Sequence, residues 1–388
     1  MTASMLIHVQ HLLGIGHLQR ARHIGAALAA RGIAVTLVSG GLPVSGFAPA
    51  PGLHLIQLPP IRALDAHFAL VDGGGRPVDD ALRAARCDAV LQAFAQTQPD
   101  IVVIEGFPFA RRAFRFELDP LIAAARQAGT PVICSVRDIV NPRDDPARHR
   151  EIVDRVRADF DHVLVHGDPN LIPFEASFPA AAQIGDRLRY TGYVAGPRSP
   201  APTSASSGEV LVSAGGGPSG YALLQAAIAA RRLGCVAEAP WRLLAGAGLP
   251  GAEFAALVDA APAGVVVERF RADFRDLLGG CRVSVSQAGY NTVLDILSAR
   301  KRAVLVPFAE EREREQLLRA EHLAALGAAE LVRESELSPQ RLAAAIERAA
   351  SRAPAALEID MNGAETSARL IAAAAGGSAA SRRRAIIP

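Results

Sequence analysis

Cysteine is scarce in this chain of 388 residues: Cys87, Cys134, Cys235 and Cys281 lie far apart, and no two share metal-ligand spacing. Three of them sit in apolar surroundings and read as buried thiols, which fits a cytoplasmic protein. Long apolar runs are missing as well. No stretch of about 18 apolar residues occurs, so no membrane-spanning helix is expected. The N-terminus lacks a basic segment followed by a long apolar core, so no secretion signal is expected. Neither sign of charge dominates. The 41 Lys and Arg face 39 Asp and Glu, a net charge of +2, which argues against nucleic acid as a partner. No cluster of carboxylates has metal-ligand spacing, so no essential metal and no cofactor are expected. What the chain has in plenty is hydrophobic residues, 50% of the total, with length for two domains of ordinary size.

Strand and helix patterns alternate along the first half. Leu6–Gln10 reads as a strand, and a glycine turn at Leu13–His17 leads into a helix over Leu18–Arg31 that Gly32 stops. Ile33–Val38 and Leu53–Leu58 read as strands, Asp79–Gln98 as a helix and Ile101–Ile104 as a buried strand. Helices over Phe116–Gln127 and Arg148–Arg157 alternate with strands over Pro131–Val136 and His162–Val165. Such alternation predicts an α/β chain with a parallel sheet covered on both faces. Residues 196–208, rich in Pro, Ser, Ala and Gly, have nothing to bury and read as a linker between a domain at 1–195 and one at 209–375. The second series has strands at Glu209–Ser213, Arg242–Leu244, Val265–Val267, Val283–Val285 and Ala303–Val306, and a last helix over Met361–Ala375. Residues 376–388, with Arg382, Arg383 and Arg384, read as a disordered solvated tail, or alternatively as a contact for a membrane or RNA.

Two loops carry chemistry in the second series. After Val283–Val285, the segment Ser286-Gln287-Ala288-Gly289-Tyr290-Asn291-Thr292 leads into a helix that Asn291 or Thr292 can cap. Free N–H groups and the helix dipole at such a start attract an anion. Asp295, one turn in, is placed to take two sugar hydroxyls. The plainer reading is an ordinary strand-to-helix loop. Ala214-Gly215-Gly216-Gly217-Pro218-Ser219-Gly220 offers backbone amides that can cradle a diphosphate; a flexible turn is its alternative.

In the first series, Gly14-Ile15-Gly16-His17-Leu18-Gln19-Arg20 places His17 at a helix N-terminus, where the dipole disfavours imidazolium and keeps a neutral base. A capping role for His17 is the alternative. Glu105-Gly106-Phe107-Pro108-Phe109-Ala110-Arg111-Arg112 follows the strand ending at Ile104. Glu105 reads as a second catalytic carboxylate or as a buried acid paired with Arg111 or Arg112. Phe107, Phe109, Arg111 and Arg112 read as a holder for an anionic or lipid-linked acceptor, with Arg137 and Asp138 completing the wall.

The segment Ser286 to Asp295 resembles the donor-binding signature of glycosyltransferase family 28: Ser-Arg-Ala-Gly, two or three residues, Thr, and Glu three residues later. Here Gln287 replaces the basic residue and Asp295 the Glu. Gly216, Gly217 and Gly220 match the family's Gly-Gly-Ser-x-Gly-Ala loop; Pro218 stands at its Ser, and Ser219 is the nearest substitute. Phe270 matches an aromatic residue lining the uracil pocket, with Arg271 in place of the usual apolar neighbour. Gln316 matches a Gln that hydrogen-bonds sugar hydroxyls. The first loop, with Gly14, Gly16 and His17, resembles that of these transferases and also of nucleotide-sugar hydrolases of the same fold.

The resemblance implies the GT-B architecture: two Rossmann-like domains with parallel sheets facing a central cleft, the last helix (362–375) crossing back to the first. It implies hexosyl transfer from a nucleotide diphosphate sugar, UDP-linked, to a carbohydrate, lipid-linked or small-molecule hydroxyl acceptor, with inversion and without metal. Donor contacts would come from Gly14, Gly16, Gly216, Gly217, Ser219, Gly220, Phe270, Arg271, Gln287, Gly289, Asn291, Thr292, Asp295 and Gln316. His17 or Glu105 would be the base, and Phe109, Arg111, Arg112 and Arg137 would hold the acceptor. The aromatic and basic residues of 107–112 suggest weak peripheral membrane contact at the inner membrane face. A hydrolase, or a protein that only binds nucleotide sugar, are the alternatives.

Overall fold

The computed structural model describes all residues except 1–2, 13–14, 45–46, 65–68, 141–144, 197–207, 216–219, 234–235, 237, 309–313, 355–356 and 386–388, and except the side chains of 377–385. The chain divides into two compact units, one of Met1–Gly196 with Asp360–Pro388 and one of Pro197–Ile359.

The first unit runs β1 (Ser4–Val9), α1 (Gly16–Ala29), β2 (Ala34–Ser39), β3 (Leu53–Gln57), β4 (Ile61–Ala63), β5 (Leu70–Asp72), α2 (Asp80–Thr97), β6 (Ile101–Glu105), α3 (Arg115–Gln127), β7 (Val132–Arg137), α4 (Pro146–Asp159), β8 (His162–His166) and β9 (Leu188–Tyr190). Seven strands form one sheet in the order β3-β2-β1-β6-β7-β8-β9, every pair parallel. Strand β6, Ile-Val-Val-Ile-Glu, is buried throughout, as a strand covered on both faces must be. Asp79 caps α2 by accepting from the Leu82 amide, and Asp145 caps α4, with Pro146 at its first turn.

The second unit runs β10 (Val210–Ser213), α5 (Tyr221–Ala230), β11 (Trp241–Ala245), α6 (Gly251–Ala260), β12 (Val265–Arg269), α7 (Phe274–Gly280), β13 (Val283–Ser286), α8 (Tyr290–Ser298), β14 (Ala303–Leu305), α9 (Glu315–Ala325), β15 (Glu330–Leu331) and α10 (Pro339–Ser351). Its six-stranded sheet has the order β12-β11-β10-β13-β14-β15 and is parallel throughout.

The chain then returns to the first unit. Tyr193 donates its amide to Asp360 O at 2.7 Å, Val194 bridges Asn362, and α11 (Gly363–Ala385) follows. Ala368, Ile371 and Ala375 of α11 pack with Leu18, Ala21, Ile24 and Leu28 of α1 in one buried cluster. Helix α11 continues through Ala385, where a disordered tail from 376 was expected; the segment is rich in alanine, the best helix former, and has no proline before 388. The expected linker lies outside the described residues for 197–207.

Beneath the sheet of the first unit lies a buried ionic network. Arg86 of α2 and Glu117 of α3 are both fully buried and joined by two bonds of 2.7 Å. Arg86 also donates to Gly40 O, Pro59 O and Gln10 Oε1 at 2.7–2.8 Å, and His8 Nε2 lies 3.1 Å from Glu117 Oε1. Each of these contacts joins segments that meet only in the fold.

Candidate active site

In both sheets the strand order reverses once at a central pair, β1 beside β6 and β10 beside β13. Open parallel sheets bind ligands beyond the carboxyl ends of strands at such a switch point, because the following loops diverge there. The loops with chemistry-bearing residues follow these four strands.

In the first unit, β1 leads to α1, whose second residue is His17, and β6 ends on Glu105. His17 Nδ1 lies 2.9 Å from Glu105 Oε1, and Arg20, one turn along α1, donates to the same oxygen. On the sheet, Glu105 is paired in register with Ser135. Ser135 Oγ donates to Glu105 Oε2 at 2.5 Å and is 2.8 Å from His166 Nε2. His166 Nδ1 in turn meets Thr191 Oγ1 at 2.9 Å and Ser367 Oγ of α11 at 3.4 Å. Arg137 Nη2 reaches His17 Nε2 at 3.0 Å.

The charges can be assigned. Burial alone would raise the Glu105 pKa, but Arg20 and His17 outweigh it and hold the carboxyl well below its ordinary range. An ionised carboxylate only accepts, so Nδ1 of His17 carries the proton and Nε2 presents the lone pair. That lone pair accepts from Arg137. Burial, with the charges of Arg111 and Arg137, pushes the His17 pKa down to about 3, against the pull of Glu105. Burial and Arg20 likewise lower His166 to about 3. The arrangement is a neutral imidazole oriented by a carboxylate, with Ser135 and His166 fixing the carboxylate from behind.

Several sequence expectations change here. Glu105 is 2% exposed and bonded to His17, Arg20 and Ser135, so it orients His17 rather than standing as a separate base. Phe107 and Phe109 are core residues, 0% and 7% exposed; Phe109 packs edge-on against Phe174 and Phe178 at 5.4 and 5.2 Å. They form no acceptor wall and no aromatic surface for a membrane, because the loop turns both rings under the sheet. Among the described residues no helix is long and apolar enough to cross a membrane. Arg112 is exposed, 3.8 Å from Glu151, whereas Arg111 points inward and donates to Gln10 O at 2.7 Å. Asp138 is fully buried and accepts from Tyr193 Oη at 3.3 Å. Gly16 is the first residue of α1, and Gly14 lies outside the described residues. Arg20, Ser135 and His166 are the residues that sequence reasoning left without a role; Arg20 alone had a signal, one helical turn after His17.

In the second unit, Ser213 and Ser286 are partners in register at the ends of β10 and β13. Gly215 has φ +69°, which favours glycine, and a Cβ on it would lie 3.4 Å from Gln287 Oε1, so the two loops adjoin. Gly216, Gly217 and Ser219 lie outside the described residues. Gly220 starts α5 so close to β10 that a Cβ would come within 2.3 Å of Ala214 Cβ. Helix α8 begins two or three residues earlier than expected. Gly289 occupies the N-cap without a side-chain bond, so Asn291 and Thr292 fall in the first turn and cap nothing.

Asp295 Oδ1 accepts from Arg275 Nε at 2.8 Å. Burial raises its pKa, and Arg275 opposes the rise. Gln316 Oε1 accepts from the Ala288 and Phe308 amides at 3.0 and 3.2 Å, so its carbonyl fastens two loops and only its amide NH₂ remains for a ligand. Arg319 donates to Ala288 O at 3.0 Å and to Glu315 at 2.8 Å, bracing the same loop. Phe270, 69% exposed, offers a bare ring at the end of β12, while Arg271 is turned aside into pairs with Asp273 and Glu268. Among the described residues no three His, Cys, Asp or Glu side chains gather as metal ligands.

Residues 261–374 match the family model described as the glycosyltransferase family 28 C-terminal domain; from Asp360 onward that segment lies in the first unit. Over 93 residues the chain is 40% identical to the UDP-N-acetylglucosamine–N-acetylmuramyl-(pentapeptide) pyrophosphoryl-undecaprenol N-acetylglucosamine transferase of Brucella anthropi, covering 23% of this chain and 24% of that protein. The corresponding protein of Brucella canis is 38% identical over the same length and shares. The chain thus spans about a quarter of the length of the curated relatives it matches.

Among solved structures, the calicheamicin glycosyltransferase CalG4 superposes with a TM-score of 0.60 at 18% identity, covering 100% of both chains. Acinetobacter baumannii MurG gives 0.61 at 18% identity, covering 95% of this chain and 99% of that one. Phytolacca americana UGT2, solved with UDP-2-fluoro-glucose and pterostilbene, gives 0.62 at 13%, covering 97% and 95%. Residues 261–374 are similar to the glycosyltransferase family 28 C-terminal domain, in a chain with the fold of the GT-B glycosyltransferases.

Proposed function

We propose that this protein transfers a hexosyl group from a UDP-linked sugar to a hydroxyl acceptor, inverting the anomeric centre without a metal. The observation that carries the reading is the neutral His17, its Nδ1–H held by ionised Glu105 and its Nε2 lone pair facing the Arg137 guanidinium. Nε2 takes the acceptor's hydroxyl proton as that oxygen bonds to the anomeric carbon. The bond from that carbon to the diphosphate breaks, and the electron pair leaves with the nucleoside diphosphate. One displacement inverts the centre. The second unit holds the donor: amides at the start of α8 and in the loop after β10 take the diphosphate, Asp295 the ribose, and the Phe270 ring the base.

Asp295 has one carboxylate oxygen on Arg275 and one left for ribose hydroxyls. Asp295→Asn is expected to weaken UDP binding by about 1.5–3 kcal/mol, the range for a hydrogen bond to a charged group. Isothermal titration checks this, and unchanged affinity in a folded variant removes Asp295 from the site. Incubation of wild type with donor alone tests transfer itself. Little free sugar is expected; stoichiometric release would mean that water is the acceptor and the protein a hydrolase.

A further inference from the structure

Helix α8 starts without a brace of its own. Its N-cap is Gly289, which makes no side-chain bond, and a Cβ placed there would find no atom within 4 Å. No acidic residue stands in its first turn. Glycine has the widest backbone freedom of any residue, so this joint needs outside support. The support comes from α9. Gln316 and Arg319 are three positions apart and so share one face of that helix. Together they take Ala288 by both of its peptide groups. Gln316 Oε1 accepts from the Ala288 amide at 3.0 Å, and Arg319 Nη1 donates to the Ala288 carbonyl at 3.0 Å. The Arg319 guanidinium also lies over the Tyr290 ring, 5.6 Å from its centroid. Arg319 therefore bears on the residues to either side of Gly289. It is buried itself, and its Nη2 is anchored on Glu315, one turn back along α9, at 2.8 Å.

We propose that Arg319 is a positioning residue for the donor's diphosphate. By fixing the joint at Ala288 and Gly289, it aims the first-turn amides of α8 before the ligand arrives. The role rests on the reading that those amides take the diphosphate. Donors fixed in place beforehand bind an anion more tightly, because no ordering is left for the moment of binding. Without the guanidinium, the ligand itself must order the joint, and part of the affinity that the phosphates add is lost. The base and the ribose, which that reading gives to Phe270 and Asp295, are not affected.

Two measurements on the full chain separate the hold from its use. Amide hydrogen exchange over 286–292 needs no ligand. Arg319→Met is expected to speed it relative to the strands of the same sheet. Affinities for UDP and for uridine are then compared by titration calorimetry. Wild type is expected to prefer UDP. In Arg319→Met that preference should fall about three- to tenfold, the worth of one net hydrogen bond, with uridine affinity unchanged. Arg319→Gln can still bond Glu315 but is too short to reach Ala288 as well. It is expected to give the same result, and it serves if Arg319→Met does not fold. Arg319→Lys, a long donor, should restore part of the preference. Arg333→Met, at an exposed pair with Glu321 of α9, should leave both readings at their wild-type values. Exchange that does not quicken in Arg319→Met or Arg319→Gln overturns the hold. Faster exchange with an unchanged preference for UDP overturns the positioning role, as does an equal loss for UDP and uridine. Wild type that prefers UDP no more than uridine overturns the donor reading and the role together, and the exchange result shows which part of the account survives.

Discussion

His17→Ala is expected to lower kcat by about 10²–10⁴-fold, the usual contribution of a general base. UDP affinity should stay within about threefold, because the lost interaction belongs to the transition state and to the other structural unit. The pH profile carries a second signature. The folded pKa of His17 is about 3, so the imidazole remains neutral far below its ordinary value of 6.5. The profile of kcat/KM, which reports the free enzyme, should show no acidic limb near 6.5. Stability has the same sign. Between about 3 and 6.5 the unfolded chain binds protons at His17 and His166 that the folded chain refuses. Stability is therefore complete above 6.5 and falls as the pH drops through that window. Glu105, its pKa depressed by folding, adds to the loss in acid. Unchanged kcat in His17→Ala would return His17 to a structural role. Lost UDP binding would show that the donor is not held by the second unit alone.

Glu117→Ala is expected to destabilise the first unit by about 3–5 kcal/mol, because it leaves Arg86 as an uncompensated charge in the core. Arg86 is fully buried, and among the described residues Glu117 is the one carboxylate paired with it. Removing both charges together, as in Arg86→Met with Glu117→Leu, should cost much less than Glu117→Ala alone, since buried pairs often gain little over apolar residues of similar volume. Urea unfolding of the wild type and the two variants measures this. A loss below about 1 kcal/mol in Glu117→Ala would show that water reaches Arg86 when its partner is gone.

The parallel sheets were legible from two central strands, one a continuous branched apolar run and the other valines alternating with small polar residues. Ile101–Ile104 and Val283–Val285 could be read from composition and flanking turns alone. Strands β9 and β15, three and two residues long, have no period to read. The β4–β5 hairpin escaped for the same reason, with three residues a side. Within the site, His17 stood out because glycines and a helix start mark its loop. Its partners Ser135 and His166 did not, since strand register brings them to Glu105 across as many as 61 positions of sequence. Phe107 and Phe109 misled in the opposite way. Aromatic residues beside arginines suggest a surface, but sequence adjacency does not say which side of a loop faces the core. Gln316 shows a further limit: its family role assumes a free amide, while tertiary contacts spend its carbonyl on two loop amides.

Thermal unfolding of the wild-type protein with a panel of nucleotide diphosphate sugars tests the central claim most directly. A UDP-linked sugar at 100 times its dissociation constant is expected to stabilise the protein by about 2.7 kcal/mol, and Asp295→Asn to lose most of that gain at the same concentration. If no nucleotide sugar and no nucleoside diphosphate raises the unfolding temperature, the loops after β10 and β13 hold no donor, and the account is contradicted.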